Sequence, residues 1–180
     1  MGNFVSRAGG KLEFALQEFK ISVKDLIIAD FGSSTGGFVD CLLQNGAKKV
    51  YAVETGYGTL DWKLRNDPRV VVMERTNAMH VMLPEKVDLI TIDTSWTKQK
   101  NILPNAFANL KPDGKVISLI KPHYEAHKAK LTDAELEITL KNTKEDIKNA
   151  GFKILAIAES PILGEKGRNR EFVSLIACSR

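Results

Sequence analysis

The chain has 180 residues, of which 43% are hydrophobic and 27% charged, and this composition excludes a disordered or fibrous protein. A chain of this length can bury roughly 70% of its unfolded surface, so its core needs neither a disulfide nor a metal. The net charge of +4 is compatible with a nucleic-acid partner but does not require one.

The first half of the chain predicts one helix followed by strand–helix units. Apolar residues recur at helical spacing before the first strand and again after a glycine-rich turn at residues 32–37. Gly46 ends the second helix as a left-handed cap does. The predicted elements are helices over 10–19, 37–45 and 59–65, and strands over 25–31, 50–54 and 69–73.

The second half continues this alternation and then departs from it. The predicted elements are strands over 87–93, 115–121, 152–158 and 172–178, with helices over 97–110 and 133–150. Alternating strands and helices favour a mostly parallel sheet. The last two strands have no room for a helix between them, so we expect them to be an antiparallel pair.

We therefore predict a single α/β domain with a Rossmann-like, mostly parallel seven-stranded sheet and an antiparallel final strand. This is the methyltransferase version of the fold, since a plain dinucleotide-binding domain would keep alternating. Residues 1–25 are expected to form an N-terminal helical segment that packs on a catalytic domain over residues 26–180.

The turn after the first strand predicts a site for a nucleotide-like ligand. It reads G-x-S-x-G-G from Gly32 to Gly37, with Asp30 two residues before its first glycine. Glycines let the backbone approach a ligand closely, and the following helix directs its N–H groups at it. Asp30 suits an enzyme that binds S-adenosylmethionine, where such an acid lies near the amino-acid portion of the cofactor.

Two residues at later strand ends extend this prediction. Glu54 ends the second strand about twenty residues after the turn, where a carboxylate can accept hydrogen bonds from ribose hydroxyls. Asn77 follows the third strand and is either a contact to the adenine edge or a polar turn residue. Nicotinamide enzymes also use an acid at this strand end, so an oxidoreductase is an alternative.

The same turn also spells G-x-S-x-G, the nucleophile elbow of hydrolases, with Ser34 as the nucleophile. This alternative needs a later histidine, for which His123 and His127 are available. It is disfavoured because the elbow normally follows an interior strand after an oxyanion loop, whereas this turn follows the first strand of the chain.

Four charged residues are candidates for catalysis. Asp93 and Lys121 end the fourth and fifth strands, Glu171 precedes the last strand, and Lys11 lies in the first helix. Ligands of open α/β sheets bind outside the carboxyl ends of the strands, so we expect these side chains to face one crevice.

Seven segments of the chain resemble the TlyA-type ribosomal RNA methyltransferases of the FtsJ-like ribose 2′-O-methyltransferase group, sometimes labelled hemolysins. They are SRAGGKL (6–12), DFGSSTGGFVDCLL (30–43), YAVETGYGTLDWKL (51–64), DPRVVVMERTNA (67–78), IDTS (92–95), KP (121–122) and NREF (169–172). The resemblance implies a catalytic tetrad of Lys11, Asp93, Lys121 and Glu171. It also implies S-adenosylmethionine as the cofactor, bound by Asp30, Gly32, Ser34, Gly36, Gly37, Phe38, Glu54, Asn77 and Asp93.

The chain also departs from this family. Members usually begin with a small RNA-binding domain, and this chain begins where that domain would end. The motif SRGG is altered to SRAGG, IDVSF to IDTSW and KPQFE to KPHYE. A non-catalytic relative that binds cofactor or RNA is therefore an alternative to an active enzyme.

The implied reaction transfers a methyl group from a sulfonium to a ribose oxygen. We expect Lys121 to act as the base, which requires a lowered ammonium pKa, and Asp93 to orient it. Trp96 either stacks a base or packs a loop. Ribosomal RNA or a ribosomal subunit is the expected partner, contacted by Arg7, Lys11, Lys98, Lys100, Lys121, Lys128, Lys130, Arg168 and Arg170.

The remaining features predict a cytoplasmic protein without a metal site. Cys41 and Cys178 form no pair with ligand spacing and are expected to be reduced. The apolar runs have only the length of strands, so no membrane contact is expected.

Overall fold

The computed structural model describes residues 3–164 and 169–179, and its centre is a seven-stranded sheet. The strand order is β3-β2-β1-β4-β5-β7-β6. All strand pairs are parallel except those of β7, which is antiparallel to both β5 and β6. The predicted α/β sheet with an antiparallel final strand is confirmed.

The elements follow one another as the hydrophobic pattern predicts. The helices are α1 (Ala8–Glu18), α2 (Gly37–Gln44), α3 (Trp62–Arg65), α4 (Gln99–Asn109), α5 (Pro122–Glu125) and α6 (Asp133–Asn149). The strands are β1 (Ile27–Phe31), β2 (Lys49–Val53), β3 (Val70–Met73), β4 (Val87–Ile92), β5 (Leu110–Ile120), β6 (Phe152–Glu159) and β7 (Phe172–Cys178).

The largest differences from the sequence prediction lie around β5. This strand begins at Leu110, which pairs with Val87, and resumes its pairing at Lys115 opposite Leu89. The four residues in between bulge out around Asp113, whose φ is 63°. Pro112 and Gly114 read as a turn between helix and strand, so the prediction placed the start of the strand too late. The short helix α5 was not predicted.

The two faces of the sheet carry separate helical layers. One apolar cluster joins α1 and α2 to one face, through residues such as Leu12, Leu16 and Leu42. The other joins α4 and α6 to the opposite face, through Ile102 and Ile147. The strands between these layers are buried on both faces, which explains their nearly continuous apolar sequences.

The topology directs several chain segments to one edge of the sheet. The parallel strands β1, β2, β4 and β5 all end there. Because β7 runs in the opposite direction, it begins at the same edge, with Phe172 paired to Ile120. Glu171 therefore comes next to the residue that follows β5, which is Lys121.

No helix in the described ranges is long and apolar enough to cross a membrane.

Candidate active site

A cavity of about 270 Å³ opens at the carboxyl edge, outside β1, β2 and β4. Five of the residues predicted to bind cofactor line it, which are Gly32, Ser34, Glu54, Asn77 and Asp93. It is also lined by Val53, Thr55, Thr76, Ala78, Met79, Thr94, Ser95, Thr97 and Ile102.

The turn after β1 brings backbone directly to this cavity. Gly32 has a φ of 86°, and a Cβ atom there would lie 2.7 Å from the carbonyl oxygen of Asp93. Ser34 also has a positive φ, of 49°, although it is not a glycine. Such conformations persist where the surrounding structure fixes them, and they are frequent at ligand sites.

The second half of the turn, from Gly36 to Phe38, makes close packing contacts. Gly36, the N-cap residue of α2, leaves room for the side chains of Leu60 and Leu64. A Cβ atom on Gly37 would lie 2.2 Å from Ser6 Oγ, so this glycine lets α1 approach α2. Phe38 is 3% exposed and belongs to the core. Gly36 does not line the cavity described above. Gly37 and Phe38 line a smaller cavity beside Asp30.

Glu54 joins the turn to the end of β2. Its Oε2 atom accepts a hydrogen bond from the backbone N–H of Ser34 at 2.9 Å. Its Oε1 atom accepts from Thr55 Oγ1 at 3.0 Å and from the N–H of Gly56 at 2.9 Å. The carboxylate is thus fixed at the cavity wall, where a ribose hydroxyl can reach it.

Asp30 lies behind the turn and is 1% exposed. Its Oδ1 atom accepts from Thr91 Oγ1 at 2.6 Å, whereas Oδ2 is buried without a hydrogen-bond partner among the described residues. Burial is the main reason that the pKa of this carboxyl rises to about 7. A second cavity, of about 80 Å³, lies between it and Ser6. An unsatisfied buried acid beside a cavity suits a cationic ligand group.

Asn77 lies at the exposed wall of the larger cavity. Its Oδ1 atom accepts the N–H of Met79 at 2.9 Å, which is the contact of a polar turn residue. The amide nitrogen faces no partner in the portion of the chain that is described, so its role toward an adenine stays a prediction.

The four charged residues form two ion pairs, and Asp93 of one pair lines this cavity. Lys11 Nζ donates to Glu171 Oε2 at 2.6 Å, and both side chains are at least nine-tenths buried. Lys121 Nζ lies 2.5 Å from Asp93 Oδ1 and donates to the carbonyl oxygen of Thr94 at 3.2 Å. The pairs unite four elements that are up to 160 residues apart in sequence.

The charges around Lys121 correct one expectation. Burial lowers the pKa of its ammonium, but attraction to the carboxylates of Asp93 and Glu171 outweighs burial and raises the pKa above its ordinary value. The sequence analysis expected a lowered pKa. In the structure the two carboxylates prevail, and Lys121 is an ammonium at neutral pH.

Aromatic side chains cover one side of the Lys121 pair. Trp96 is 56% exposed and its ring centroid lies 4.3 Å from that of Tyr124. The Lys121 ammonium lies 5.4 Å from the centroid of the Tyr124 ring. Burial, together with the charges of Lys121 and Lys11, lowers the pKa of the neighbouring His123, which is therefore neutral.

The hydrolase alternative finds no support in this arrangement. Among the described residues, no hydrogen bond joins Ser34 to His123 or His127. Nor does any group of three His, Cys, Asp or Glu side chains in the same ranges have the arrangement of a metal site.

The sequence analysis missed several small polar residues of the cavity wall. Thr55, Thr76 and Thr94 each follow a strand by two or three residues. Position alone could have identified them, because every residue just beyond a parallel strand's carboxyl end is a candidate for the crevice.

The model of the FtsJ-like methyltransferase family matches residues 4–176. YqxC of Bacillus subtilis, named as a candidate rRNA methyltransferase, is 52% identical over 130 residues, which are 68% of this chain and 45% of YqxC. The chain therefore spans less than half the length of this relative.

The 16S/23S rRNA (cytidine-2′-O)-methyltransferase TlyA of Mycobacterium tuberculosis is 36% identical over 96% of this chain and 68% of its own. Among solved structures, a candidate hemolysin from Streptococcus thermophilus has a TM-score of 0.90 at 36% identity, covering 99% of this chain and 68% of its own. From the matched residues and these identities, the chain belongs to the FtsJ-like methyltransferase family.

Proposed function

We propose that this protein transfers a methyl group from S-adenosylmethionine to a ribose 2′-hydroxyl of ribosomal RNA. The observation that carries the proposal is the pairing of Lys11 with Glu171 and of Lys121 with Asp93 beside the cavity at the carboxyl edge. The names of relatives that are 36% and 52% identical support ribosomal RNA as the substrate.

The cavity fits S-adenosylmethionine by the chemistry of its walls. Glu54 accepts hydrogen bonds from the ribose, and the turn at Gly32 and Ser34 passes close to the ligand. Asp30 lies beside the smaller cavity, buried with one unsatisfied oxygen, and would attract the ammonium of the methionine portion. The cofactor supplies a methyl group on a positively charged sulfur, which leaves as a neutral thioether.

The two ion pairs suit a hydroxyl acceptor. An alcohol is a weak nucleophile, so it needs alignment and a place for its proton. Well-held geometry can contribute about 7–11 kcal/mol of barrier lowering. The Lys11–Glu171 pair is buried, and it supports the other pair because Glu171 also attracts the Lys121 ammonium.

Asp93 lines the cavity and also pairs with Lys121. Lys121 is therefore the group that accepts the proton of the ribose hydroxyl. As the ribose oxygen forms its bond to the methyl carbon, the hydroxyl proton passes to the neutral amine of Lys121, which becomes an ammonium. Because the carboxylates raise the pKa of Lys121, the amine form is scarce at neutral pH. The rate is therefore expected to increase with pH.

The basic side chains of the rim differ in their freedom to contact phosphate. Lys100, Lys128 and Arg170 pair with Asp146, Glu135 and Glu159. In the described ranges Arg7, Lys98 and Lys130 have no carboxylate partner, so these three are the better candidates for RNA contacts. Arg168 lies outside the described residues.

The test is incubation of the protein with labelled S-adenosylmethionine and hypomethylated ribosomal subunits, followed by mapping of the labelled nucleotide. Label at a ribose 2′-oxygen is expected. Label on a base would contradict the acceptor, and cofactor binding without any transfer would favour a non-catalytic relative.

A further inference from the structure

Tyr57 and Arg75 form an exposed stack beside the cofactor cavity. Tyr57 is 70% exposed, and the guanidinium carbon of Arg75 lies 4.5 Å from the centroid of its ring. One face of the phenol ring is therefore covered by a cation, and the other face is open to solvent. An exposed aromatic ring held in this way presents a flat surface of fixed orientation.

Glu74 connects the two loops that carry the stack, and its side chain is 8% exposed. Its carboxylate accepts the N–H of Gly58 at 2.8 Å and pairs with Arg65. The N–H of Arg75 donates to the carbonyl oxygen of Gly56 at 3.1 Å. These contacts tie the loop after β2 to the loop after β3, so the two stacked side chains need no rearrangement to meet.

Arg75 combines a positive φ with a guanidinium that forms no ion pair among the described residues. Its φ is 52°, a conformation that is unfavourable for a side-chain-bearing residue. Its guanidinium has no carboxylate partner in the part of the chain that the structure describes, unlike those of Arg65, Arg69 and Arg170. The hydrogen-bonding edge of this guanidinium is therefore available to an anion.

The stack lies close to the candidate active site. Thr55 and Thr76, which line the cofactor cavity, are close neighbours in sequence of Tyr57 and Arg75. Asp93, of the Lys121 pair, lines the same cavity. The stack thus stands at the rim of a cavity that leads to the ion pairs.

We propose that Tyr57 and Arg75 form a stacking platform for an unpaired base of the RNA substrate, next to the nucleotide that is methylated. The base lies on the open face of Tyr57, and Arg75 donates to a neighbouring phosphate. Proteins read unpaired RNA by stacking its bases on aromatic rings and guanidinium planes. This proposal rests on the proposed function, because it takes RNA as the substrate.

The competing occupant is the cofactor itself, with Tyr57 closing over the adenine. The two possibilities differ in whether the Tyr57 ring contributes to the affinity for RNA or to the affinity for the cofactor. A platform for RNA affects RNA affinity and leaves cofactor affinity unchanged, whereas a lid does the reverse.

The test measures the dissociation constants of wild type and variants for hypomethylated ribosomal subunits and, separately, for S-adenosylmethionine by calorimetry. Tyr57→Leu removes the ring, and Tyr57→Phe keeps it. Arg75→Ala removes the cation. Lys20→Ala is its matched control, because Lys20 is an exposed cation with a φ of 53° at the far end of α1.

We expect Tyr57→Leu to weaken binding to subunits about tenfold, as loss of one stacked base does, and Tyr57→Phe to bind like wild type. The slope of log affinity against log salt is negative. Arg75→Ala is expected to make it less negative by about 0.7, the value for one phosphate contact on a single strand. Lys20→Ala is expected to leave the slope unchanged, and all variants to bind S-adenosylmethionine normally.

Unchanged subunit affinity of Tyr57→Leu, or loss of cofactor affinity in its place, would overturn the platform. If the wild type methylates subunits and Tyr57→Leu binds them as tightly as the wild type does, the platform proposal fails and the proposed function stands. If wild type neither binds nor methylates them, the proposed function fails and the platform with it.

Discussion

The two halves of the candidate site are built from different material. The cofactor half consists largely of backbone turns and short polar side chains, most of them just beyond the ends of neighbouring strands, with Asp30 behind the turn after β1. The other half consists of two ion pairs, Lys11–Glu171 and Lys121–Asp93, whose members lie in α1, just after β4 and β5, and just before β7. The first half depends on local conformation and the second on the assembly of distant segments.

This difference separates the effects of substitution. A change in the ion pairs is expected to remove transfer or stability while the cofactor still binds. A change in the turns is expected to alter cofactor affinity first. Substitutions in each half can therefore test whether the halves are independent.

The largest effect is expected for Lys121→Ala in the charged half. Loss of the proton acceptor is expected to lower the single-turnover transfer rate about 10²–10⁴-fold, the usual contribution of a general base. The affinity for S-adenosylmethionine is expected to stay unchanged. Lys153→Ala, an exposed lysine on the edge strand β6, serves as the control.

The pH profile of the wild type refines this prediction. The carboxylates raise the pKa of Lys121, so the amine fraction and the transfer rate are expected to increase tenfold per pH unit from pH 7 to 9. A rate independent of pH over this range would show that Lys121 acts as an ammonium and only orients the hydroxyl.

The next effect is on stability, at the buried Lys11–Glu171 pair. Glu171→Ala leaves the Lys11 ammonium buried without its carboxylate, which is expected to lower the free energy of unfolding by about 3 kcal/mol. Urea denaturation measures this loss. The double variant Lys11→Met with Glu171→Leu is expected to recover most of the stability and remain inactive, and failure to recover it would show that the pair is not simply replaceable by apolar packing.

The same contrast explains what could be predicted from the sequence. Apolar runs, Gly46 and the turn from Gly32 to Gly37 are local signals, and they correctly located the strands and the fold. The antiparallel final strand was predictable because residues 160–170, which join the last two strands, are too few for a helix crossover. Each ion pair joins residues that are far apart in sequence. Only the rule for strand ends and the family resemblance predicted them.

Some features were beyond local reasoning. Gly36 and Gly37 were predicted as ligand contacts; the structure adds that their small size makes room for Leu64 and Ser6, which approach from other elements. The balance at Lys121 depends on distances to two carboxylates, and spacing in sequence does not supply these. Tyr57 and Arg75 lie in two of the segments that resemble the family, but their contact across two loops cannot be read from the sequence.

In the cofactor half, Gly32→Ala is expected to cost about 2 kcal/mol of unfolding free energy. The positive φ accounts for about 1 kcal/mol of this, and the contact of a new Cβ with the carbonyl oxygen of Asp93 for the rest. Gly151→Ala is a matched control, because Gly151 has a φ of 89° and open space around it. Chemical denaturation compares the two, and equal losses would exclude the contact as a cause.

The most specific prediction concerns Asp30. Its pKa is about 7 in the folded protein, mainly because of burial, against an ordinary value of 3.8. The folded state therefore holds a proton that the unfolded state releases between these two values. The contribution to stability is fully present below pH 3.8 and is lost as the pH rises toward 7, by at most about 1.4 kcal/mol per pH unit.

Cofactor binding is expected to respond with the opposite sign. Only the ionised carboxylate of Asp30 attracts a cation, so the affinity for S-adenosylmethionine is expected to increase as the pH rises through about 7, while the protein becomes less stable. Asp30→Asn removes the ionisation, and both pH dependences are expected to flatten in urea denaturation and calorimetry.

Thr91→Val supplies the complementary change. It removes the hydrogen bond that lowers the pKa of Asp30, so both transitions are expected to move to higher pH. If stability and affinity changed at different pH values in these variants, two separate groups would be responsible. A common midpoint that moves with Thr91 would identify one buried carboxyl that exchanges stability of the fold for attraction of the cofactor.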